Sequence, residues 1–313
     1  MKWTTIFLII LFGCLEKPPE EILAQSESPY IVVLGVAQDA GYPQIGCYED
    51  HCLTAWKQPE RKRKVVSLGL VDPANKKKWL FEATPDIKEQ LFEFQKFAPD
   101  SIYEFAGIFL THGHMGHYAG LMQLGKEAIS ASNIPVYAMP KMIKYLSSNG
   151  PWDQLVKISN INLSPLQDSL RIDITDQLSI TPFEVPHRDE YTETVGYNIT
   201  GPSKSLIFIP DIDKWSDWHV NLAAENYAWD YALVDATFFN DGELPGRDMS
   251  KIKHPFVSES FEYFKGLSSL KRKGVHFIHF NHTNPLLIEG SEENAEVLQN
   301  GFNVAAELDI LPL

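Results

Sequence analysis

Three of the ten histidines of this chain lie in the segment His112-Gly113-His114-Met115-Gly116-His117. The apolar run 105–110 comes just before this segment and predicts a short strand. Side chains two residues apart in extended backbone face the same side, so His112 and His114 can bind one metal ion. His117 lies further along and approaches from another direction, toward a second ion. The segment therefore predicts a metal site at the end of a strand.

Three later polar residues also follow apolar runs that predict strands. His187 follows 181–186, Asp211 follows 206–210, and His282 follows 275–281. Ligands of layered α/β folds commonly lie at such strand ends. Each residue could instead be a turn residue, a helix cap or a core histidine. The recurrence of the same arrangement favours metal ligands.

The pattern of apolar runs predicts an α/β fold with two sheets covered by helices, because strands come in runs with helices between the runs. Strands are predicted over 30–37, 65–71, 79–83, 105–110, 135–139, 178–185, 194–199, 205–209, 231–234 and 275–280. Helices are predicted from Thr84-Pro85-Asp86 toward Phe97, and over 118–128, 140–147 and 291–299.

The size and charge of the chain narrow the classes of function. The 313 residues are 44% hydrophobic, which suffices for one large globular domain, predicted over 29–313. The formal net charge is −14. Because phosphate backbones are bound by basic patches, this charge argues against nucleic acid as a partner and favours a small-molecule substrate.

The first residues predict export. Lys2 precedes the apolar run 3–13, and Cys14 follows this run. This pattern is typical of a secretory signal, and Leu11-Phe12-Gly13-Cys14 resembles the processing site of bacterial lipoproteins. Acylation of Cys14 would anchor the protein to a membrane, on the periplasmic or cell-surface face, without spanning it. An ordinary signal peptide is the alternative. The polar segment 15–28 predicts a flexible tether.

Cys47 and Cys52 allow two interpretations. In an exported protein they can pair as a disulfide or remain free thiols. The segment Cys47-Tyr48-Glu49-Asp50-His51-Cys52 could instead contribute to a structural metal site, although such sites usually have four ligands.

Segment 112–117 resembles the His-x-His-x-Asp-His signature of the metallo-β-lactamase superfamily. This resemblance implies a four-layer αβ/βα sandwich. It also implies that His112, His114 and His187 hold a first ion, that Asp211 bridges, and that His117 and His282 serve a second. Gly116 stands where the signature has aspartate, so the second site lacks one carboxylate. Asp86, Asp189 and Asp213 are possible replacements.

Other segments resemble the pyrroloquinoline quinone biosynthesis protein B group of that superfamily. They are Asp39-Ala40-Gly41-Tyr42-Pro43-Gln44-Ile45-Gly46-Cys47, Ala83-Thr84-Pro85-Asp86-Ile87, Leu233-Val234-Asp235-Ala236-Thr237-Phe238-Phe239 and His279-Phe280-Asn281-His282-Thr283-Asn284-Pro285. The chain keeps both histidines of the His-x-His pair, so its ligand set is closer to that of hydrolytic phosphodiesterase relatives. A shared scaffold does not fix a shared reaction.

These resemblances predict an enzyme that binds one or two Zn²⁺ ions, with Fe²⁺ or Mn²⁺ as alternatives. Hydroxide formed at the metal would attack an ester or phosphoester, because a bound ion lowers the pKa of water to ~7. Asp211 would orient the nucleophile or act as general base, and His254 would contact substrate or protonate the leaving group. One alternative is an iron-dependent oxygenase linked to quinone cofactor synthesis. Another is a non-enzymatic surface protein that binds a ligand without catalysing a reaction.

Overall fold

The computed structural model describes residues 28–313. The predicted signal segment 1–14, Cys14 and nearly all of the predicted tether 15–28 lie outside the described residues, so these remain predictions. Within 28–313, none of the helices combines the length and the apolar character needed to cross a membrane.

The first of two sheets contains seven strands in the order β14-β1-β2-β3-β4-β5-β6. Neighbours from β14 to β3 are antiparallel, and those from β3 to β6 are parallel. The strands are β1 (Tyr30–Gly35), β2 (Ser67–Asp72), β3 (Lys77–Phe81), β4 (Glu104–Phe109), β5 (Ile134–Ala138), β6 (Ile161–Pro165) and β14 (Ile310–Pro312).

The second sheet also contains seven strands, in the order β13-β12-β11-β10-β9-β8-β7. Neighbours from β7 to β10 are antiparallel, and those from β10 to β13 are parallel. The strands are β7 (Ile172–Asp173), β8 (Ser179–Glu184), β9 (Val195–Thr200), β10 (Ser205–Ile209), β11 (Tyr231–Asp235), β12 (Val275–Ile278) and β13 (Asn303–Val304).

Short helices connect the strands and cover the sheets. They are α1 (Asp50–Lys57), α2 (Ile87–Phe94), α3 (Met115–Tyr118), α4 (Pro140–Ser148), α5 (Trp152–Lys157), α6 (Val257–Phe264), α7 (Ser269–Arg272) and α8 (Glu292–Gln299). Short 3₁₀ helices lie at Pro59–Arg61, Ala119–Leu124, Trp215–Asp217, Met249–Lys251 and Pro285–Leu287.

The side chains of β1 alternate between two apolar layers, as expected for a strand in a covered sheet. Ile31 and Val33 belong to the cluster that joins the two sheets. Tyr30, Val32 and Leu34 belong to the cluster between the first sheet and its helices. The first sheet is therefore buried on both faces. This confirms the predicted four-layer sandwich.

Four aromatic rings join the two sheets at the centre of the molecule. Phe81 on β3 lies 5.3 Å from Tyr197 on β9 and 6.2 Å from Phe208 on β10, measured between ring centroids. Phe109 on β4 lies 5.7 Å from Tyr197. All three contacts are edge-to-face, a favourable geometry for aromatic pairs. The rings fix the separation of the sheets next to the end of β4.

The helix predicted over 118–128 is replaced by α3 and the 3₁₀ turn Ala119–Leu124. The reason is the close packing of Gly120 against the chain at 83–84. The amide of Gly120 donates to the carbonyl of Ala83 at 2.8 Å, which removes it from a helical hydrogen bond. A Cβ atom at Gly120 would lie 2.0 Å from the carbonyl oxygen of Thr84, so glycine is required there.

Substitution of Phe208 by alanine tests the packing between the sheets. Phe208 is fully buried, so Phe208→Ala is expected to lower the free energy of unfolding by about 3–5 kcal/mol. The matched control is Phe92→Ala, because Phe92 is 70% exposed on α2 and its loss is expected to cost no more than about 0.5 kcal/mol. Urea unfolding in a metal chelator measures both. Equal effects of the two substitutions would contradict this account of the core.

Candidate metal centre

Polar residues follow strand ends in both sheets. The histidine segment 112–117 follows β4, His187 follows β8, and Asp211 follows β10. Strands β8 and β10 run in the same direction because each is antiparallel to β9. Their carboxyl ends therefore meet at one edge of the second sheet, beside the end of β4.

The first group of side chains consists of His112, His114, His187 and Asp211, with one ligand atom of each within 4.8 Å of the others. Asp211 Oδ2 lies 3.4 Å from His112 Nε2, 3.2 Å from His187 Nε2 and 3.9 Å from His114 Nδ1. His114 Nδ1 also lies 2.8 Å from His112 Nε2. Bonds of 2.0–2.1 Å around tetrahedral zinc place ligand atoms roughly 3.3 Å apart. The spacing thus suits a metal ion.

The second group consists of Asp39, His117 and His279, again with ligand atoms within 4.8 Å of one another. His117 Nε2 lies 3.2 Å from Asp39 Oδ1 and 3.9 Å from Asp211 Oδ2. Asp211 therefore lies between the two groups, where one carboxylate can bind an ion in each.

The ring nitrogens on the far side of these histidines face fixed polar atoms. His112 Nδ1 lies 2.9 Å from Thr111 Oγ1, His187 Nδ1 lies 3.2 Å from Asp213 Oδ1, and His279 Nδ1 lies 2.9 Å from Thr237 Oγ1. His117 Nδ1 lies 3.4 Å from Glu82 Oε1 but makes no hydrogen bond with it. Metal-binding histidines are held in this way, with one nitrogen toward the ion and the other toward a fixed polar group.

In the second group, the atoms that face one another lack hydrogen bonds. Within the described part of the chain, Asp39 Oδ1, His117 Nε2 and His279 Nε2 are buried and have no hydrogen-bond partner. Buried polar atoms are normally paired, and an unpaired one costs about 1–3 kcal/mol. Three such atoms around one point fit the coordination of a cation. The residues therefore suit the metal that the fold implies.

Burial and neighbouring charges set the protonation of the centre. Burial raises the pKa of Asp211, but the charges of His187 and His254 outweigh burial and hold this pKa well below its usual range. Burial, together with the charge of His117, lowers the pKa of His112. These shifts favour the Asp211 anion and the neutral His112 imidazole, the forms that bind metal. Burial lowers the pKa of His187, but the charge of Asp211 outweighs burial and raises it to about 10.

His254 contacts two carboxylates, Asp211 of the first group and the buried Asp235. His254 Nδ1 lies 2.8 Å from Asp235 Oδ2 and 3.2 Å from Asp211 Oδ1. Asp235 accepts further hydrogen bonds from the amide of Ile212 at 3.1 Å and the hydroxyl of Thr237 at 2.7 Å. Asp235 therefore fixes both His254 and the backbone that carries Asp211.

The structure corrects the prediction for His282. This side chain is grouped with Cys47, His51 and Cys52, and its Nδ1 lies 3.1 Å from Asn281 Oδ1. The place expected for it is occupied by His279, which follows β12 directly and has a positive φ of 70°. The ring of His279 lies 5.4 Å from that of His117. The two histidines lie three residues apart in the sequence, and His279 is the one that faces the second group.

None of the three predicted replacements for the missing aspartate joins the second group. Asp86 accepts a hydrogen bond from the amide of Val65, and Asp189 accepts one from the hydroxyl of Thr194. Asp213 contacts His187 from the side away from the centre. The carboxylate in the second group belongs to Asp39. The sequence pointed to Asp39 only as part of the segment 39–47, which resembles the pyrroloquinoline quinone biosynthesis protein B group.

Cys47 and Cys52 form a disulfide, with their Cα atoms 6.0 Å apart. His51 Nε2 lies 3.3 Å from Cys47 Sγ, and the rings of His51 and His282 are 5.6 Å apart. Two thiolates and two imidazoles would thus be available for a metal if the disulfide were reduced.

A cavity of about 760 Å³ opens beside the first group, and His187 and His254 line it. Its wall also carries four basic side chains, Arg188, Arg247, Lys251 and Lys253. Lys253 lies 3.0 Å from Asp213, and Lys251 lies 3.1 Å from Asp248. Arg247 makes no ion pair with any described residue. Arg188 lies 3.6 Å from Glu190, so three of the four cations have acidic partners and, among the described residues, Arg247 is the uncompensated cation of this wall.

A family model for the β-lactamase superfamily domain matches residues 77–280. Among curated proteins, Coenzyme PQQ synthesis protein B of Methylobacterium radiotolerans is 27% identical over 300 residues, covering 88% of this chain and 97% of the relative. The protein of the same name from Xanthomonas campestris is 24% identical over 298 residues, with the same coverage of both chains. The similarity thus extends well beyond the histidine segment.

Solved structures give the same result. Zn²⁺-bound PqqB from Methylobacterium extorquens has a TM-score of 0.75 and 25% identity, covering 91% of this chain and all of that one. A diphosphatase from the PhnP family has a TM-score of 0.64 and 21% identity, covering 91% and 97%, and shares the fold. Both resemblances inferred from the sequence are confirmed.

Asp213→Asn tests whether Asp213 positions His187 for metal binding. The substitution keeps the shape but removes the charge that faces His187 Nδ1, so metal affinity is expected to fall about 10- to 100-fold. Asp217→Asn, at an exposed carboxylate nearby, is the control and should leave affinity unchanged. Competition with a fluorescent chelator measures the affinities. Unchanged zinc affinity in Asp213→Asn would show that the contact is only structural.

Proposed function

The chain belongs to the β-lactamase superfamily, and we propose that within it this protein is a metal-dependent hydrolase of anionic esters, with phosphoesters as the preferred class. The convergence of His112, His114 and His187 on Asp211 Oδ2 carries the proposal. Three imidazoles and one carboxylate retain a complete first metal site of the kind that hydrolytic metalloenzymes use.

The four ligands would hold one ion beside the cavity wall that His187 and His254 form. When bound, the ion supplies Lewis-acid activation of water near neutral pH. Asp211 remains ionised between the two groups, where it orients the water or accepts its proton. His254 keeps Nδ1 toward Asp235 Oδ2, at 2.8 Å, and lines the cavity, where it can give a proton to a leaving group.

The basic wall of the cavity supports an anionic substrate. Arg247 and Lys251 are exposed there, beside a centre that would bind cations. Guanidinium and ammonium groups bind phosphate oxygens through charge-assisted hydrogen bonds. A neutral ester gains less from such groups than an anion does, so their presence favours a phosphoester.

Similarity to Coenzyme PQQ synthesis protein B supports a second candidate, an iron-dependent oxygenase. Nitrogen and carboxylate ligands suit non-haem iron as well as zinc. The zinc in the similar PqqB structure favours zinc for this chain, though zinc at a related scaffold does not fix the reaction. The two candidates differ in the metal they require and in the consumption of oxygen.

The central test is His114→Ala, because His114 Nδ1 faces the first group and no other residue of the described chain replaces it there. We expect the purified protein to contain metal, by plasma mass spectrometry, and to hydrolyse bis(p-nitrophenyl) phosphate. His114→Ala should lose both the first ion and more than about 99% of the rate, about 2.7 kcal/mol of barrier. The exposed His219 provides the control His219→Ala, which should behave as wild type.

Full metal content in His114→Ala would disprove the site. Absence of hydrolysis in an iron-loaded protein that consumes oxygen would instead favour the oxygenase. A protein without metal after reconstitution would argue against both enzymes.

Arg247→Gln tests the substrate class. Removing this cation should raise KM for bis(p-nitrophenyl) phosphate about three- to tenfold and leave KM for the neutral ester p-nitrophenyl acetate unchanged. Arg171→Gln is the control, since Arg171 is exposed and does not line the cavity. An equal effect on both substrates would contradict a role in binding the anion.

A further inference from the structure

We propose that Asp39 supplies the second metal site with the carboxylate that Gly116 cannot provide. The inference rests on the proposed metal dependence of the centre. It assigns a ligand to a segment far from the histidine motif, immediately after β1. The second site is then complete rather than degraded.

The first observation is spatial. A Cβ atom built on Gly116 would lie 2.3 Å from Asp39 Oδ1 and 2.4 Å from Asp39 Cα. Separations below 3.0 Å do not occur for real Cβ atoms. The side chain of an aspartate at 116 and the observed position of Asp39 therefore exclude each other. Asp39 fills the space that the aspartate of the family motif would enter.

The second observation is the direction of the ligand atoms. Asp39 Oδ1 lies 3.2 Å from His117 Nε2, and one atom of Asp39, His117 and His279 each falls within 4.8 Å of the others. Oδ1 is buried and lacks a hydrogen bond to any described residue, although a third of the Asp39 side chain is exposed. The carboxylate thus turns an unpaired oxygen inward, toward the two imidazoles.

The third observation is how the segment is held. The amide of Gln38 donates to the carbonyl of Phe280 at 2.8 Å, and Ala37 pairs with Phe280 as an isolated bridge. The amide of Gly41 donates to the carbonyl of Gln38, which closes a turn around Asp39. The backbone next to Asp39 is therefore fixed to the residue after His279. The same backbone contacts therefore position both Asp39 and His279 at the centre.

With Asp211 as a shared ligand, the second site has two imidazoles and two carboxylates. His117 Nε2 lies 3.9 Å from Asp211 Oδ2, within reach of one ion. A signature aspartate at 116 would give the same number and kind of ligands. The carboxylate has changed its position in the sequence while keeping its position in space.

The test is the metal content of two variants at Asp39, Asp39→Asn and Asp39→Ala. Zinc and, separately, manganese are added to the chelator-treated protein, excess is removed, and ions per chain are counted by plasma mass spectrometry. Calorimetric titration gives the affinity of the second ion. We expect two ions in the wild type and one in each of Asp39→Asn and Asp39→Ala. Circular dichroism checks that each variant is folded.

The matched control is Asp189→Asn, which alters an exposed carboxylate that lies outside the three-residue group. It should keep two ions. Loss of the second ion in both Asp39 variants, with the first ion retained, supports the assignment. Two ions of unchanged affinity in Asp39→Asn, or only one ion in the wild type, overturn it.

The outcome separates this inference from the proposed hydrolase. Two ions that depend on Asp39 in a protein without hydrolytic activity would leave the ligand assignment standing and refute the function. Hydrolysis that persists with one ion in both wild type and Asp39→Asn would do the reverse.

Discussion

The buried carboxylate of Asp211 is the charge on which the rest of the centre depends. It is 2% exposed, and an ionised carboxylate without partners in such surroundings would cost more than a fold's net stability. Imidazoles of His112, His187 and His254 lie within 3.4 Å of its two oxygens. Their contact keeps Asp211 ionised, and the carboxylate in turn draws the histidines together. Neither set of residues would be stable in this position without the other.

This arrangement requires the two sheets to keep a fixed separation, because Asp211 follows a strand of one sheet and His112 a strand of the other. The hydroxyl of Tyr197, within the aromatic cluster, donates to the carbonyl of Leu110. The amide of Val195 donates to the carbonyl of Thr111 at 3.1 Å. Strand β9 of the second sheet thus holds the backbone from which the histidine segment departs. The packing of the core therefore also fixes the positions of the metal-binding side chains.

Much of this could be predicted from the sequence, because strand ends are local features. The apolar runs before His112, His187 and Asp211 each gave a strand and a ligand position. His279 could not be distinguished from His282, because it lies within the apolar run that was expected to lead to His282 and its positive φ cannot be deduced from the sequence. Asp39 and Glu82 could not be identified, since their roles depend on contacts between segments distant in the sequence.

The contrast between Gly116 and Asp39 shows why a motif is an incomplete guide to a metal site. An ion responds to the position and charge of donor atoms and not to the segment that delivers them. A loop fixed at Phe280 brings Asp39 to the point that the motif aspartate would reach, and the absence of a side chain at Gly116 leaves room for it. Loss of a motif residue therefore indicates loss of a ligand only when no other segment can fill the same space. Here that space is filled, by a carboxylate.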